Sequence, residues 1–202
     1  MINLPSTPTH LINLDSQVER LNNVTGRLRG SGVTFKRFSG TPHSESIIGC
    51  GMSHKALLSQ IDPITLILED DVNIADDFTL SYPYPDDADA IYLGVSRWGY
   101  ISPYATGIKD SVIFTDFSDE YLRVHNMCST HAILYLSEKY ITAAKEKIEE
   151  CLNTSFPFDL GLASIHKDFI ILAPREPLFY QESKVDCTKF KPEVTHVESD
   201  IS

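Results

Sequence analysis

The chain has 202 residues, of which 42% are hydrophobic and 22% are charged, and its formal net charge at pH 7 is -11. A chain of this length can form one domain with its own core, and no apolar run approaches the roughly 18 residues that a membrane-spanning helix needs. The acidic balance argues against a nucleic-acid groove, because phosphate binding requires clustered Lys and Arg. Residues 1–10 contain two prolines and no basic flank. They do not fit a signal peptide, so we expect a cytoplasmic protein whose four widely spaced cysteines are reduced.

The first third of the chain predicts a strand–helix–strand unit. Residues 10–15 read as a short strand, and Ser16 with Glu19 matches a capping box that would start a helix ending near Gly30. Residues 34–38 then read as a second strand. This order favours a parallel sheet covered by helices.

An acidic motif follows the next predicted strand. Residues 47–61 carry the apolar spacing of a helix that Pro63 ends, and residues 65–68 form a short apolar strand. That strand leads directly into Glu69-Asp70-Asp71. Ligands of open α/β sheets bind at the carboxyl ends of strands, so we expect a functional site here.

The remaining predicted elements complete a sheet. Residues 88–94, 131–136 and 169–172 read as strands, and Ser137 begins a helix to about residue 152. The irregular stretch 95–110 fits a substrate loop in which Trp98 and Tyr100 could stack on a sugar ring, although a lone Trp is more often a core residue and we favour the core for Trp98. The predicted domain spans residues 1–183, and residues 184–202 form a polar tail or linker.

The acidic motif can be interpreted in two ways. Alternate residues of an extended segment face the same way, so Glu69 and Asp71 would present a pair of carboxylates. Such a pair suits Mg²⁺ or Mn²⁺, which take one or two carboxylates and complete their coordination with water and substrate phosphate. A solvated acidic turn is the alternative.

Several segments together resemble glycosyltransferase family 25, which includes lipopolysaccharide and collagen galactosyltransferases. The three leading signatures are Leu-Ile-Asn-Leu-Asp at 11–15 with Glu19-Arg20, Gly-Cys-Gly-Met-Ser-His at 49–54, and Leu-Ile-Leu-Glu-Asp-Asp-Val at 66–72. Shorter matches follow in the same order, at 91–94, 130–132, 158–159, 177–178 and Gln181. The order and spacing of these motifs carry the resemblance, and the short length fits a viral or bacterial member.

The resemblance implies a GT-A type fold with a Rossmann-like, mostly parallel central sheet flanked by helices. It also implies a UDP-sugar donor, Mn²⁺ or Mg²⁺ held by Glu69 and Asp71, and inversion at the anomeric carbon. A hexose or deoxyhexose would pass to a hydroxyl of a glycan or glycoprotein acceptor. Such chemistry needs one base on the face opposite the leaving group.

The family pattern assigns that base to Asp159, which could instead cap the helix after Pro157. It assigns Asn13, Leu14, Asp15 and Arg20 to the donor site, where Arg20 could alternatively pair with an acid on its own helix.

The same pattern places Ser53, His54, Asp70 and His131 beside the donor. For both histidines a buried, hydrogen-bonded core residue is the alternative.

Two other functions stay open at this point. A glycosyltransferase-like binding module without turnover would keep the fold. Loss of the acidic pair would favour this interpretation, and here the pair is intact. A metal-dependent nucleotidyltransferase would use similar carboxylates, yet the segment after the first strand offers Asn, Asp and Ser where a phosphate cradle needs Gly and Lys.

Overall fold

The structure is a computed structural model that describes residues 2–101, 106–181 and 190–195. The described residues form the α-helices α1 (Val18–Gly30), α2 (Ser46–Leu58), α3 (Glu138–Thr154) and α4 (Phe158–Ile165). The strands are β1 (Ile2–Asn3), β2 (Thr9–Asn13), β3 (Lys36–Ser39), β4 (Thr65–Glu69), β5 (Val72–Ile74), β6 (Ser81–Tyr82), β7 (Ala90–Tyr92), β8 (Trp98–Ile101), β9 (Thr106–Lys109), β10 (Phe114–Asp116), β11 (Tyr121–Val124), β12 (Ala132–Tyr135), β13 (Ile171–Pro174) and β14 (Phe179–Gln181).

An eight-stranded mixed sheet forms the centre of the fold, in the order β10-β11-β13-β7-β12-β4-β2-β3. The pairs β2–β3, β2–β4 and β7–β13 are parallel, and the other pairs are antiparallel. The expectation of a mostly parallel sheet is therefore wrong for the whole sheet. The cause is that β11 and β12 each run antiparallel to both of their neighbours, and an apolar strand pattern carries no information on direction.

Helices cover both faces of the sheet. On β4, Ile67 packs in the cluster that contains residues of α2, α3 and α4, while Leu66 and Leu68 pack in the cluster that contains Val24 and Leu28 of α1. This alternation is what a strand buried on both faces requires. Burying each Leu or Ile of these clusters contributes about 1.5–3 kcal/mol, so the sheet holds the acidic motif at the end of β4 in a fixed position.

The two predicted helix starts have different outcomes. Ser137 caps α3, because its hydroxyl accepts a hydrogen bond from the Tyr140 backbone N–H. The capping box at Ser16 is not formed, since α1 begins at Val18 and Gln17 occupies the cap position without a side-chain hydrogen bond. A Ser can cap a helix only where the helix begins directly after it. Here a turn follows β2, and the first helical residue is Val18.

The stretch predicted as irregular contains the hairpin of β8 and β9. Gly99 faces the protein, where an added Cβ would lie 2.4 Å from the carbonyl oxygen of Ser111, so a side chain does not fit there. Alternation along the strand then turns Trp98 to the other face, where it is 45% exposed. The prediction that Trp98 belongs to the core is wrong.

Part of the C-terminal tail contacts the domain. The Thr195 backbone N–H donates to the carbonyl of Phe114, and the Phe114 N–H donates to the Thr195 hydroxyl. Most of residues 184–202 and Cys187 lie outside the described residues, so the domain boundary stays a prediction. Cys50, Cys128 and Cys151 are free thiols, and no helix among the described residues has the length and apolarity to cross a membrane.

Candidate functional site

The acidic motif lies at one side of a cleft of about 350 Å³, at the carboxyl ends of the parallel strands β2 and β4. The cleft brings together most of the residues that the sequence singled out. Those that line it are Asn13, Leu14, Arg20, Ser53, Glu69, Asp70 and Asp71, with Gly40, Thr41, His43, Ser46 and Cys50 among the further lining residues. The roles assigned to them remain predictions.

Glu69 is fixed by α2. Its Oε1 lies 3.0 Å from Nε2 of the fully buried His54 and 3.9 Å from the Cys50 thiol. Burial acts to raise the pKa of Glu69, but the hydrogen bond and charge of His54, with smaller contributions from Thr130 and His131, outweigh it and hold the pKa at about 2. Glu69 is therefore ionised at neutral pH, and His54 is a positioning residue for it.

Asp70 belongs to a network that orders the end of β2. One carboxylate oxygen accepts from Asn13 Nδ2 at 2.7 Å and the other pairs with Arg20 at 2.7 Å. Among the described residues, Arg20 therefore pairs with the acidic motif and not with an acid of its own helix. Arg37, which the sequence analysis missed, extends the network by donating to Asn13 Oδ1 and to Asp15. The parallel pairing of β2 with β3 places Arg37 beside Asn13, and no sequence motif indicates this contact.

Asp71 carries negative charge that its neighbours only partly offset. Its Oδ2 accepts from Gln181 Nε2 at 2.9 Å and lies 3.3 Å from Arg20, whereas its buried Oδ1 has no hydrogen-bond partner among the described residues. Burial and the charge of Glu69 raise the pKa of Asp71 to about 6, against the opposing effects of Gln181 and Arg20.

A divalent cation fits this part of the cleft. The buried Oδ1 of Asp71 costs free energy because no donor hydrogen-bonds to it in the described part of the chain, and the neighbouring charge of Glu69 raises that cost. A hard cation bound between the two carboxylates would lower it. The ligand atoms of Cys50, His54 and Glu69 also lie within 4.8 Å of one another. Burial and the surrounding carboxylates raise the pKa of Cys50 far above its usual range. A thiol and an imidazole suit softer metals, whereas the carboxylate oxygens of Glu69 and Asp71 suit Mg²⁺ or Mn²⁺.

Asp159 lies in the first turn of α4, on the helix that packs against α2. Pro157 occupies the cap position of this helix, so Asp159 is not its N-cap. One carboxylate oxygen of Asp159 is buried and has no partner among the described residues. Burial raises its pKa, and the charge of Glu69 adds to this although nearby backbone N–H groups oppose it. Asp159 is thus close enough to Glu69 for the two charges to interact.

Ser53 and His131 occupy structural positions. The Ser53 hydroxyl donates to the Gly49 carbonyl and accepts from the Thr41 N–H, and so joins α2 to the loop that forms one wall of the cleft. His131 is 2% exposed, and its Nδ1 lies 3.0 Å from the Ser129 hydroxyl. Burial lowers the pKa of His131 to about 4, so this residue is neutral and lies behind Glu69 without lining the cleft.

Replacing Gly94 by Ala tests the packing behind Glu69. An added Cβ would lie 2.0 Å from Nε2 of His131, so the ring must move, and we expect a loss of about 1–3 kcal/mol in the free energy of unfolding. Urea denaturation measures the loss. Gly26→Ala is the matched control, because nothing lies within 4 Å of that added Cβ in α1, and it should stabilise the protein by about 0.5–1 kcal/mol. Equal effects of both variants would contradict the tight packing of His131 on Gly94.

No protein-family model and no curated protein matches the chain, so the resemblance to glycosyltransferase family 25 stays a prediction. Among the solved structures that the chain matches is a nucleoside-diphosphate-sugar pyrophosphorylase from Vibrio cholerae RC9. The identity is 13% and the TM-score is 0.42, with 84% of this chain and 73% of that chain covered. A likeness of this size carries no conclusion about function. The fold itself is α/β, with a large mixed sheet flanked by helices.

Proposed function

We propose that the protein is a metal-dependent, inverting glycosyltransferase of GT-A type. It would transfer a hexose or deoxyhexose from a UDP-sugar to a hydroxyl of a glycan or glycoprotein. The observation that carries the proposal is the incompletely neutralised pair Glu69 and Asp71 in a cleft at the carboxyl end of β4, with Asp159 close by.

The position of the cleft supports a nucleotide donor. The strands β3, β2 and β4 are parallel neighbours, and the loops that follow β2 and β3 contribute Leu14, Gly40 and Thr41 to the cleft. Crevices at the carboxyl ends of parallel strands are the usual nucleotide sites of α/β proteins. Leu14 offers an apolar contact there, and Arg20 offers a positive charge toward a diphosphate.

The acidic pair supports the departure of a diphosphate. A bound Mn²⁺ or Mg²⁺ would neutralise the negative charge that accumulates on a leaving nucleoside diphosphate. Glu69 and Asp71 would hold the cation, and His54 and Gln181 would hold these two carboxylates in place. Asp70 would keep Arg20 directed into the cleft through their ion pair.

Asp159 would act as the base. Its carboxylate takes the proton of the acceptor hydroxyl while the hydroxyl oxygen forms a bond to the anomeric carbon of the donor. The bond between that carbon and the diphosphate oxygen breaks, and UDP leaves with the electron pair. Attack opposite the leaving group inverts the configuration, so a single carboxylate suffices.

Calorimetric titration of UDP and a panel of UDP-sugars, with and without Mn²⁺, tests this function. We expect binding that depends on the metal and weakens by more than about 100-fold in Asp71→Asn, because a direct ligand should matter more than the outer-shell groups whose loss costs 10–100-fold. The control is Asp86→Asn, an exposed acid outside the cleft, which should bind as the wild type does. Failure of the wild type to bind any UDP-sugar would remove the proposed donor. Binding without turnover on any acceptor would favour an inactive binding module.

A further inference from the structure

The β8–β9 hairpin presents two aromatic side chains beside the helix that carries Asp159. Trp98 and Tyr100 lie on the same face of β8 because they alternate with Gly99. Trp98 is 45% exposed, and it is the single tryptophan of the chain. Helix α4 packs against β8 as well as against α2, which lines the cleft. The aromatic face therefore adjoins the proposed catalytic site.

Backbone pairing ties this face to Asp159. The Cys128 N–H donates to the Trp98 carbonyl at 2.8 Å, and Gly99 bridges Met127 in antiparallel fashion. This register places Trp98 opposite Cys128, and opposite residues of an antiparallel pair share a face. Tyr100 packs on the same side, against the small cluster that includes Cys128 and Leu160, the residue that follows Asp159.

The electrostatics agree with this placement. Burial raises the pKa of Cys128 to about 12, and the negative charge of Asp159 contributes to the rise. Asp159 is thus close to the residue that lies directly across from Trp98. The exposed ring of Trp98 and the partly buried carboxylate of Asp159, one oxygen of which has no partner in the described part of the chain, lie on neighbouring elements.

We propose that Trp98 and Tyr100 form the binding platform for a saccharide acceptor, and this proposal rests on the transferase function above. A pyranose has an apolar C–H face that stacks on an aromatic ring and a hydroxyl edge that needs a polar partner. The platform supplies the first contact and Asp159 the second. A sugar lying on Trp98 would approach Asp159 from the hairpin, since α4 packs against both β8 and α2.

Tryptophan fluorescence tests the platform, because all of it comes from Trp98. The probes are the methyl β-glycosides of galactose, glucose, mannose, N-acetylglucosamine and rhamnose, added to the full chain with and without UDP and Mn²⁺. We expect saturable quenching by at least one glycoside. Saturation-transfer NMR should show affinity for that glycoside falling about tenfold or more in Trp98→Ala and much less in Trp98→Phe.

The matched control is Phe117→Ala, which removes another exposed aromatic ring after β10 and should leave glycoside binding unchanged. UDP binding should be the same in all three variants. If UDP binds and no glycoside changes the emission, or if Trp98→Ala binds the glycoside normally, the platform is overturned while the transferase stands. Glycoside binding that requires Trp98 in a protein that binds no UDP-sugar would support the platform and remove the transferase. Quenching by serine- or threonine-containing peptides but by no glycoside would overturn the saccharide assignment.

Discussion

In Asp159→Asn, the rate of UDP release from the donor in the presence of an acceptor is expected to fall by about 10²–10⁴-fold, the usual contribution of a general base. Asn is nearly isosteric with Asp and cannot accept the proton of the acceptor hydroxyl. Because Asp159 lies on α4 and does not line the donor cleft, UDP affinity should stay within about twofold. The measurement pairs steady-state turnover with calorimetry on the same preparation.

The pH profile separates a base from a structural carboxylate. Burial and the charge of Glu69 raise the pKa of Asp159. A base works only when it is deprotonated, so kcat/KM of the wild type should fall as the pH drops through this raised pKa. The variant has no such group, and its residual rate should lack that acid limb. If Asp159→Asn is slower than the wild type but its pH profile keeps the acid limb, the limb belongs to another group.

Asp168→Asn is the matched control for this variant, because Asp168 is an exposed carboxylate just beyond the other end of the same helix. It should leave both turnover and thermal stability unchanged. Unchanged turnover in Asp159→Asn would restrict Asp159 to a structural role in the first turn of α4. The base would then have to be another residue.

The acidic site was predictable because it combines local signals. A short apolar strand that ends in three acids predicts a buried strand leading to a polar sheet edge, and β4 with Glu69, Asp70 and Asp71 confirms this. The partners of these acids come from long range. Gln181 is 110 residues away from Asp71, and only the pairing of β14 with β5 brings it there.

Side-chain exposure was less predictable than strand position. The sequence shows that Trp98 follows a strand, but the face it takes is decided by Gly99, whose close approach to Ser111 leaves no room for a side chain. The direction of β12 was hidden for a similar reason. A buried strand such as Ala132–Tyr135 has the same apolar pattern whether it runs parallel or antiparallel to its neighbours.

Asp71→Asn is expected to stabilise the protein without metal while it weakens metal-dependent donor binding by more than about 100-fold. The pKa of Asp71 is raised from 3.8 to about 6, so the folded state holds its charge less favourably than the unfolded state does. For an acid with a raised folded pKa, this penalty is absent below about pH 4, grows up to about pH 6 and is complete above it. A pKa rise of this size corresponds to roughly 3 kcal/mol. Because the Asp71 side chain is partly exposed and solvent screens its charge, we expect removal of the charge to raise the free energy of unfolding at pH 7.5 by about 2 kcal/mol, and the gain should vanish near pH 4.

With Mn²⁺ and UDP bound, the wild type should become more stable than Asp71→Asn. A ligand at 100 times its Kd adds about 2.7 kcal/mol to the stability of the form that binds it, and only the wild type retains both carboxylates. Urea denaturation of the two proteins, with chelator and then with saturating Mn²⁺ and UDP, measures both differences. A variant that is less stable than the wild type in chelator would mean that Gln181 and Arg20 already neutralise Asp71. A variant that is more stable under both conditions would mean that Asp71 binds no metal. If Asp71 is a metal ligand, the variant should be the more stable protein in chelator and the wild type the more stable protein with Mn²⁺ and UDP. That result is expected of a carboxylate whose charge destabilises the metal-free fold and binds the cation.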